Sequence, residues 1–276
     1  MKVSEAIREA AERLAATSDT ARLDAEVLMA HALGVSRSDL LLRRMGDDAP
    51  AGFADLVARR ARHEPVAYIT GAQEFFGLPF AVTPDVLIPR GDSEVVVETA
   101  LAARTDGCTV LDCGTGSGAL LLAVLANRPD ATGTGIDRSP KALHVAAANA
   151  HSLGIEARAS FLVRDWTQPG WAASLGRFDL ILANPPYVED AADLAPSVRA
   201  YEPAGALFAG IDGLDDYRVL IPRFPDLLAP GGIAVVEIGA TQTEAVNALA
   251  ASASMSTKLH RDLGGRPRAL QMWCCA

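Results

Sequence analysis

TVLDCGTGSG, residues 109–118, is a short apolar run that leads directly into a turn containing three glycines. An apolar run of this length predicts a buried β-strand, and the glycines permit a tight turn and close approach of a ligand to the backbone. The apolar stretch from Ala119 to Ala126 follows and predicts a helix that ends before Pro129. Strand, glycine turn and helix in this order are typical of a parallel sheet that binds a ligand at the carboxyl ends of its strands.

The same alternation of strand and helix continues towards the C-terminus. Apolar runs predict further strands over Thr132 to Asp137, Arg158 to Arg164, Phe178 to Ala183 and Ile233 to Ile238. Helices are predicted over Ser93 to Arg104, Pro140 to Leu153 and Asp215 to Leu228, and a final hairpin over Lys258 to Trp273. Repeated strand–helix units with continuous apolar strands predict an α/β fold with a doubly wound, mostly parallel sheet.

The first 70 residues have a different pattern. Apolar residues such as Val3 and Ile7 recur there at helical spacing. The segment that follows is rich in aromatic residues, glycine and proline, which is typical of an extended connector, here a predicted β-hairpin. We therefore expect a small helical bundle domain at 1–70, a hairpin connector at 71–89 and the sheet domain at 90–276.

Composition narrows the functional classes. The chain has 276 residues, 50% of them hydrophobic, and a formal net charge of −9. Proteins that bind nucleic acid usually present a basic face, so this acidic balance predicts no direct nucleic-acid partner. The N-terminus lacks the apolar core of a secretory signal, and no apolar run is long enough to span a bilayer, so we expect a cytoplasmic protein with no membrane partner. The cysteines and histidines lack the spacing of a metal site, and no metal is expected.

The glycine turn and the strand end next to it supply candidate cofactor-binding residues. The turn contains five of them: Gly114, Thr115, Gly116, Ser117 and Gly118. Asp137 ends the next strand about 20 residues later, where a carboxylate can accept hydrogen bonds from both hydroxyl groups of a ribose. This pattern suits NAD and S-adenosylmethionine alike, since Gly114, Gly116 and Ala119 also fit a dinucleotide-binding motif. A helix cap is the alternative role for Asp137, although Ser139 suits that role better.

Asp165 and Trp166 follow the third predicted strand of the sheet. Ligands of an open parallel sheet lie across the carboxyl ends of its strands. Asp165 is therefore placed to accept a hydrogen bond from an adenine amino group, and Trp166 is placed to flank the ring. A surface turn with a packed tryptophan is an equally good interpretation of the same two residues.

Asn184-Pro185-Pro186-Tyr187 follows the fourth predicted strand and distinguishes between the two cofactor classes. A dehydrogenase has no use for this tetrapeptide, whereas its groups suit methyl transfer to a planar nitrogen. The Asn184 side-chain oxygen and the Pro185 carbonyl can accept the two N–H groups of an amide, because proline offers no competing donor. Tyr187 can stack on the flat acceptor. Holding both hydrogens would aim the nitrogen lone pair at the methyl group and stabilise the positive charge that develops.

With these motifs in order, the chain resembles the HemK/PrmC family, the glutamine methyltransferases of peptide chain release factors. The resemblance covers nearly the whole chain. It rests on the helical N-terminal region, GAQEFFGLPFAVTPDVLIPR at 71–90, the turn DCGTGSG, Asp137, Asp165-Trp166, NPPY, Tyr201-Glu202-Pro203, Asp212-Gly213-Leu214, Glu237-Ile238-Gly239 and RDLGGRPR at 261–268.

The resemblance implies a Rossmann-like class I methyltransferase fold, S-adenosyl-L-methionine as cofactor and class-1 peptide chain release factors as partners. The implied substrate is the glutamine of their Gly-Gly-Gln motif, methylated on its side-chain nitrogen. It further implies that Gly114 to Gly118, Asp137, Trp166 and Asn184 contact the cofactor and that Asn184, Pro185, Pro186 and Tyr187 hold the glutamine. One difference from the family is that Gly91-Asp92-Ser93-Glu94 follows LIPR, where Pro-Glu-Thr-Glu or Pro-Asp-Thr-Glu is usual.

Three alternatives stay open at this point. A sister enzyme that methylates a glutamine of a large-subunit ribosomal protein shares NPPY, although the connector and the tail favour the release-factor branch. A DNA adenine or ribosomal RNA methyltransferase uses the same acceptor geometry, but it has to extrude a base and needs a basic groove. A non-catalytic NAD-binding module is the alternative from another class, and the intact NPPY sequence disfavours it.

Overall fold

The computed structural model describes residues 1–104 and 107–275, which form two compact units. The first comprises Met1–Ala72 together with Leu194–Tyr201, and the second comprises the described residues of Gln73–Asp193 and Glu202–Ala276. None of the helices within the described residues is long and apolar enough to cross a membrane.

Helices make up the first unit. Their bounds are Val3–Leu14, Ala21–Leu33, Arg37–Asp39 with a π-helical turn over Leu40–Arg44, Phe53–Arg60, Val66–Thr70 and Pro196–Arg199. Val3, Ile7 and Leu14 are buried in one apolar core, as the spacing of the first segment predicts. The second helix ends at Gly34, whose φ of 65° is the left-handed conformation that glycine adopts most readily.

Strands β1 (Ala72–Phe75) and β2 (Leu78–Ala81) form a two-stranded sheet, which confirms the predicted hairpin. Only Phe76 and Gly77 join the two strands, and their φ angles are positive, at 51° and 74°. A two-residue turn of this kind matches the right-handed twist of the strands. Phe75 and Phe80 are buried with ring centroids 6.2 Å apart, so the hairpin contributes aromatic side chains to a core of the second unit.

Seven strands form the main sheet, in the order β5-β4-β3-β6-β7-β9-β8. They are β3 (Thr109–Cys113), β4 (Thr132–Asp137), β5 (Ala159–Val163), β6 (Phe178–Ala183), β7 (Leu228–Glu237), β8 (Met255–Arg261) and β9 (Pro267–Cys274). Strands β3 to β7 are parallel, while β9 is antiparallel to both β7 and β8. The predicted doubly wound, mostly parallel sheet is confirmed. Strand order reverses at β3, and such a switch point is where open parallel sheets bind ligands.

Helices cover both faces of this sheet. Their bounds are Glu94–Ala103, Ala119–Asn127, Pro140–Ser152, Asp215–Leu220, Phe224–Leu227 and Thr243–Ser252. Alternate strand residues belong to different apolar clusters: Val110 and Leu182 pack in one, and Leu111 and Ile181 in the other. Successive side chains of a strand point to opposite faces, so two cores form, one on each side of the sheet.

The single helix predicted over 215–228 is wrong. The structure divides this segment into the helix Asp215–Leu220, a 3₁₀ turn over Ile221–Arg223 and the short helix Phe224–Leu227. Pro222 and Pro225 lack the N–H that a continuous helix needs and disfavour helical geometry in the residues before them, so the segment is interrupted.

The C-terminal part also differs from its sequence pattern in one element. The helix Thr243–Ser252 is not predicted, because only Val246 and Ala250 of its residues are buried and the apolar stripe is therefore weak. The predicted terminal hairpin is present as β8 and β9.

Candidate active site

A cavity of about 310 Å³ lies at the carboxyl ends of β3, β4, β5 and β6. Most of the residues singled out in the sequence line it: Gly114, Thr115, Gly116, Ser117, Asp137, Asp165, Trp166, Asn184 and Pro186. Gly118, Pro185 and Tyr187 adjoin these residues in the chain but are not part of the cavity wall. The fold therefore brings together side chains that follow four different strands.

The glycine turn is held against β4 by its own backbone. The N–H groups of Gly114 and of the next residue both donate to the carbonyl of Ile136 at 2.9 Å. Gly114 has a φ of 77°, and a Cβ atom there would lie 3.0 Å from the indole of Trp166. Gly118 has a φ of 83°, and an added Cβ would lie 2.9 Å from Leu122. Gly114 thus lets Trp166 approach the turn, whereas Gly118 lets the following helix pack closely.

Asp137 closes the turn from the side of β4. Its Oδ2 atom accepts the N–H of Gly116 at 3.0 Å, and its Oδ1 atom accepts the N–H of Ser139 at 2.9 Å. The helix that follows is capped by Ser139, whose hydroxyl oxygen accepts from the N–H of Ala142 at 3.2 Å. A carboxylate has about four lone-pair positions, so Asp137 keeps acceptor capacity on the cavity wall.

Trp166 is fixed in the cavity wall by Asp216, a residue that the sequence analysis missed. The indole Nε1 atom donates to Asp216 Oδ1 at 2.6 Å, and Asp216 itself lines the cavity. Burial raises the pKa of Asp216, and the hydrogen bond from Trp166 opposes that shift. The acidic pair Asp215-Asp216 behind Asp212-Gly213-Leu214 was the available signal in the sequence.

Asp165 folds back onto its own turn. Its Oδ1 atom accepts from the hydroxyl and the N–H of Thr167, at 2.7 and 2.9 Å. These hydrogen bonds lower the pKa of Asp165, so the side chain is ionised at neutral pH. One carboxylate oxygen is therefore committed to the turn, and the other is the acceptor that Asp165 can offer to a ligand.

Asp112 is a second wall residue that the sequence analysis missed. Its side chain is 1% exposed, and Oδ2 accepts from the hydroxyl of Thr115 at 2.6 Å. Among the residues that the structure describes, the Oδ1 atom has no hydrogen-bond partner. Burial raises the pKa of Asp112 to about 7; the bond from Thr115 opposes this shift and the charge of Asp137 adds to it. A buried carboxylate oxygen without a partner is costly unless a ligand completes it.

The NPPY turn presents acceptor groups. The Nδ2 atom of Asn184 donates a hydrogen bond to the hydroxyl oxygen of Ser93, at 3.3 Å. Within residues 1–104 and 107–275, neither Asn184 Oδ1 nor the Pro185 carbonyl has a hydrogen-bond partner. The hydroxyl of Tyr187 donates to Glu237 Oε1 at 3.1 Å. Burial and, next, the charge of Glu237 raise the pKa of Tyr187, so its hydroxyl keeps its proton.

Two arginines hold further parts of the wall. Arg90 pairs with one carboxylate oxygen of Glu202, and the other oxygen accepts the N–H of Ile88 at 3.2 Å. Arg138 donates to the carbonyl of Gly205 at 2.9 Å. The segment LIPR and the pair Glu202-Pro203, which are far apart in the chain, therefore meet at the cavity.

The wall suits a cationic cofactor rather than a dinucleotide. It contains the carboxyl groups of Asp85, Asp112, Asp137, Asp165 and Asp216. A pyrophosphate needs free N–H groups at the glycine turn, but those of Gly114, Thr115 and Gly116 already donate to Ile136 and Asp137. S-adenosylmethionine carries a sulfonium and an ammonium group and no phosphate. The acidic wall and the unpartnered oxygen of Asp112 therefore fit this cofactor.

Comparison with known proteins agrees with this geometry. Residues 5–71 match the PrmC N-terminal domain, and residues 104–270 match a methyltransferase domain. A release factor glutamine methyltransferase of Cereibacter sphaeroides is 43% identical over 275 residues, which cover 97% of this chain and 97% of that protein. One from Rhodospirillum rubrum is 43% identical over 257 residues, which cover 90% of this chain and 78% of that protein.

A solved methyltransferase from Pyrococcus furiosus shares the fold, with a TM-score of 0.54 at 18% identity over 79% of this chain and 97% of that one. The relatives share far more than a fold, because their similarity extends over the N-terminal helices and the methyltransferase region together. The chain therefore belongs to the release factor glutamine methyltransferases, a family of S-adenosylmethionine-dependent enzymes.

Proposed function

We propose that this protein transfers a methyl group from S-adenosyl-L-methionine to the side-chain amide nitrogen of the glutamine in the Gly-Gly-Gln motif of class-1 peptide chain release factors. The observation that carries the proposal is the NPPY turn beside the acid-lined cavity, with two acceptor oxygens on Asn184 and Pro185. A primary amide places two N–H groups on one nitrogen, and two oriented acceptors can recognise both.

The cofactor would be held by the glycine turn and by the side chains around it: Gly114, Thr115, Gly116, Ser117, Gly118, Asp137, Asp165, Trp166 and Asn184. When bound, it supplies a methyl group on a positively charged sulfur atom. In this arrangement Asp137 accepts the ribose hydroxyls and Trp166 flanks the adenine. Asp112 faces the positive charges with a carboxylate that has an oxygen to spare.

The protein's own groups would act mainly by positioning. An amide nitrogen is a weak nucleophile because its lone pair is delocalised into the carbonyl. Asn184 Oδ1 and the Pro185 carbonyl hold its two hydrogens, and Tyr187 stacks on its flat face, so that the lone pair points at the methyl group. As positive charge develops on the nitrogen, the same two oxygens stabilise it. Pro186 restricts the turn to one backbone conformation.

Selection of one glutamine needs contacts beyond the pocket, since a site that reads a flat amide cannot distinguish one glutamine from another. Binding energy from parts of the substrate remote from the reacting atoms can provide that selection. We assign this role to the N-terminal helical domain at 1–70, which would dock the release factor, with the connector at 71–89 orienting it over the pocket.

The decisive experiment is incubation of the purified protein with methyl-labelled S-adenosylmethionine and purified class-1 release factors, followed by peptide mapping. Label on the glutamine of Gly-Gly-Gln is expected, and none on a release factor with that glutamine replaced by alanine. Ribosomal large-subunit proteins, offered in parallel, test the sister activity. Label on a ribosomal protein and none on release factor would contradict the proposal.

A nucleic-acid substrate is disfavoured by the same wall. The wall contains five carboxyl groups against the two guanidinium groups of Arg90 and Arg138, whereas nucleic-acid sites carry an excess of lysine and arginine that neutralises the phosphates.

A further inference from the structure

The two ends of the Asn184 side-chain amide are chemically different, and the proposed reaction can use only one of them. The oxygen accepts an N–H of the substrate, whereas the NH₂ group would repel it. A free asparagine amide can rotate between the two orientations. Some group in the protein therefore has to select the orientation that presents Oδ1. This requirement rests on the proposed function, in which Asn184 accepts an N–H group of the substrate.

Ser93 is the direct partner of Asn184. It is 3% exposed, at the end of the 3₁₀ turn Gly91–Ser93, and its hydroxyl oxygen lies 3.3 Å from Asn184 Nδ2. A hydroxyl group has one proton to donate and lone pairs that accept. Ser93 can therefore receive the Asn184 NH₂ group only while its own proton is donated elsewhere. If that proton pointed at Asn184, it would select the opposite amide orientation.

Glu237 is the group to which Ser93 can donate. This residue ends β7 and is 1% exposed; Tyr187 donates to its Oε1 atom, while its Oε2 atom is buried and has no hydrogen-bond partner among the residues that the structure describes. Burial raises the pKa of Glu237, while Ser93, the charge of Arg268 and Tyr187 lower it. In its ionised form the carboxylate has no proton to donate, so it can only accept from the hydroxyl groups of Ser93 and Tyr187. Because the carboxylate accepts, the hydrogen bonds from Asn184 to Ser93 and from Ser93 to Glu237 run in the same direction.

We propose that Ser93 and Glu237 are positioning residues that set the orientation of the Asn184 amide, through hydrogen bonds directed from Asn184 Nδ2 to Ser93 and from Ser93 to Glu237. Tyr187 donates to the same carboxylate from the other end of the NPPY turn. One buried glutamate thus fixes both the amide that holds the acceptor nitrogen and the ring that stacks on it. Glu237 lies outside the cavity wall, and Ser93, which is part of that wall, acts on the substrate through Asn184 in this arrangement.

Glu237→Gln tests the direction of the hydrogen bonds without changing the size of the side chain. The glutamine NH₂ group is a donor, and where it faces Ser93 it turns the serine proton towards Asn184, which favours the wrong amide orientation. Ser93→Ala removes the link, and Ser93→Thr keeps a hydroxyl. Ser252→Ala and Glu244→Gln are matched controls on the exposed side of the helix Thr243–Ser252.

Ser93→Ala and Glu237→Gln should each lower kcat on release factor by about 10- to 100-fold, as loss of one orienting contact does. The KM for release factor and the cofactor affinity should change by less than about three-fold, because neither substitution removes a contact that binds the ground state and the transition state equally. Ser93→Thr should stay within about three-fold of the wild type. Ser93→Ala should add nothing further in an Asn184→Ala background, since the serine acts through that amide.

A readout independent of turnover is the NMR signal of the Asn184 side-chain NH₂ group in the ¹⁵N-labelled protein, identified by its absence in Asn184→Ala. It should shift in Ser93→Ala and Glu237→Gln and be retained in Ser93→Thr and in both controls. If Glu237→Gln does not fold, the comparison of Ser93→Ala with Ser93→Thr tests the inference by itself.

Normal kcat in Ser93→Ala, or an unchanged Asn184 signal, would overturn the inference while leaving the proposed function intact. Wild-type protein that methylates no release factor would instead contradict the proposed function, and the NMR comparison would still test the hydrogen-bond direction.

Discussion

Asp137 has two roles at the scale of single residues. Its carboxylate holds the N–H groups of Gly116 and Ser139, which shapes the glycine turn, and its remaining lone pairs face the cavity. Both roles would be lost in Asp137→Ala. Loss of a charged acceptor is worth about 1.5–3 kcal/mol, so we expect cofactor affinity to fall by about 10- to 150-fold. Calorimetry checks this, with the exposed Asp226→Ala as control; equal affinities would remove Asp137 from the site.

Asp112 predicts a pH dependence of cofactor binding. Its pKa is raised to about 7, chiefly by burial, so in the free protein the group loses its proton as pH rises through neutrality. A cationic ligand favours the ionised form and lowers the pKa, so affinity should rise between about pH 6 and pH 8 and then level off. Asp112→Asn should abolish this part of the dependence. Calorimetry of both proteins across this range checks it, and parallel pH profiles would contradict it.

Asn184 is the residue on which the acceptor chemistry depends most directly. Asn184→Ala removes the oxygen that holds one substrate hydrogen and stabilises developing charge. Turnover should fall by about 10²- to 10³-fold, as it does when one oriented transition-state partner is removed. Single-turnover kinetics at saturating release factor measure this effect, with the melting temperature as a check on folding. Near-normal turnover would exclude the proposed mechanism.

At the scale of elements, three loops meet at the start of the helix Thr243–Ser252. Gln242 Nε2 donates to the carbonyls of Tyr187 and Gly213 at 3.0 and 3.2 Å, and Gln242 Oε1 accepts the N–H of Gly239 at 3.0 Å. Gly213 has a φ of 68°, and a Cβ atom there would overlap the Tyr187 carbonyl. The acceptor turn is thus held from behind by a helix that contributes nothing to the cavity wall.

Gln242→Ala removes all three hydrogen bonds. At about 1 kcal/mol each, their loss should lower the melting temperature by several degrees. Turnover should also fall, because the Tyr187 backbone is no longer fixed, while cofactor affinity should be retained. Thermal unfolding and kinetics measure the two effects, with Asn127→Ala as an exposed amide control. A destabilised protein with unchanged turnover would show that the three loops are held together by other contacts.

At the scale of the whole molecule, every residue that lines the cavity or holds the acceptor amide lies at or after Phe75. A truncated chain that begins at Glu64 should therefore keep cofactor affinity, which also reports whether it has folded. It should lose most of its kcat/KM on whole release factor and differ little from the full chain on a short Gly-Gly-Gln peptide. The comparison is kinetic, with both chains and both substrates. Equal efficiency on intact release factor would exclude the docking role of the helical domain.

The sequence by itself determined the local architecture, because the forces involved act between near neighbours. Apolar runs specified β3 and β6, since a strand buried on both faces needs continuous apolar side chains. The glycine turn followed from a residue type that suits positive φ, and the hairpin from a segment rich in aromatic residues, glycine and proline. The order of glycine turn, Asp137 and NPPY was enough to indicate the chemistry. The single helix predicted over 215–228 was wrong because the apolar periodicity continues through Pro222 and Pro225, where the helix is interrupted.

Only the tertiary structure decided which side chains meet. Ser93 and Asn184 are 91 residues apart, Trp166 and Asp216 are 50 apart, and Arg90 and Glu202 are 112 apart. No periodicity links such pairs, because their proximity arises from the strand order β3-β6-β7-β9 and the loops that follow those strands. Burial depends on the same long-range packing, and for this reason the raised pKa of Asp112 and the hydrogen bond from Tyr187 to the buried Glu237 could not be read from the chain alone.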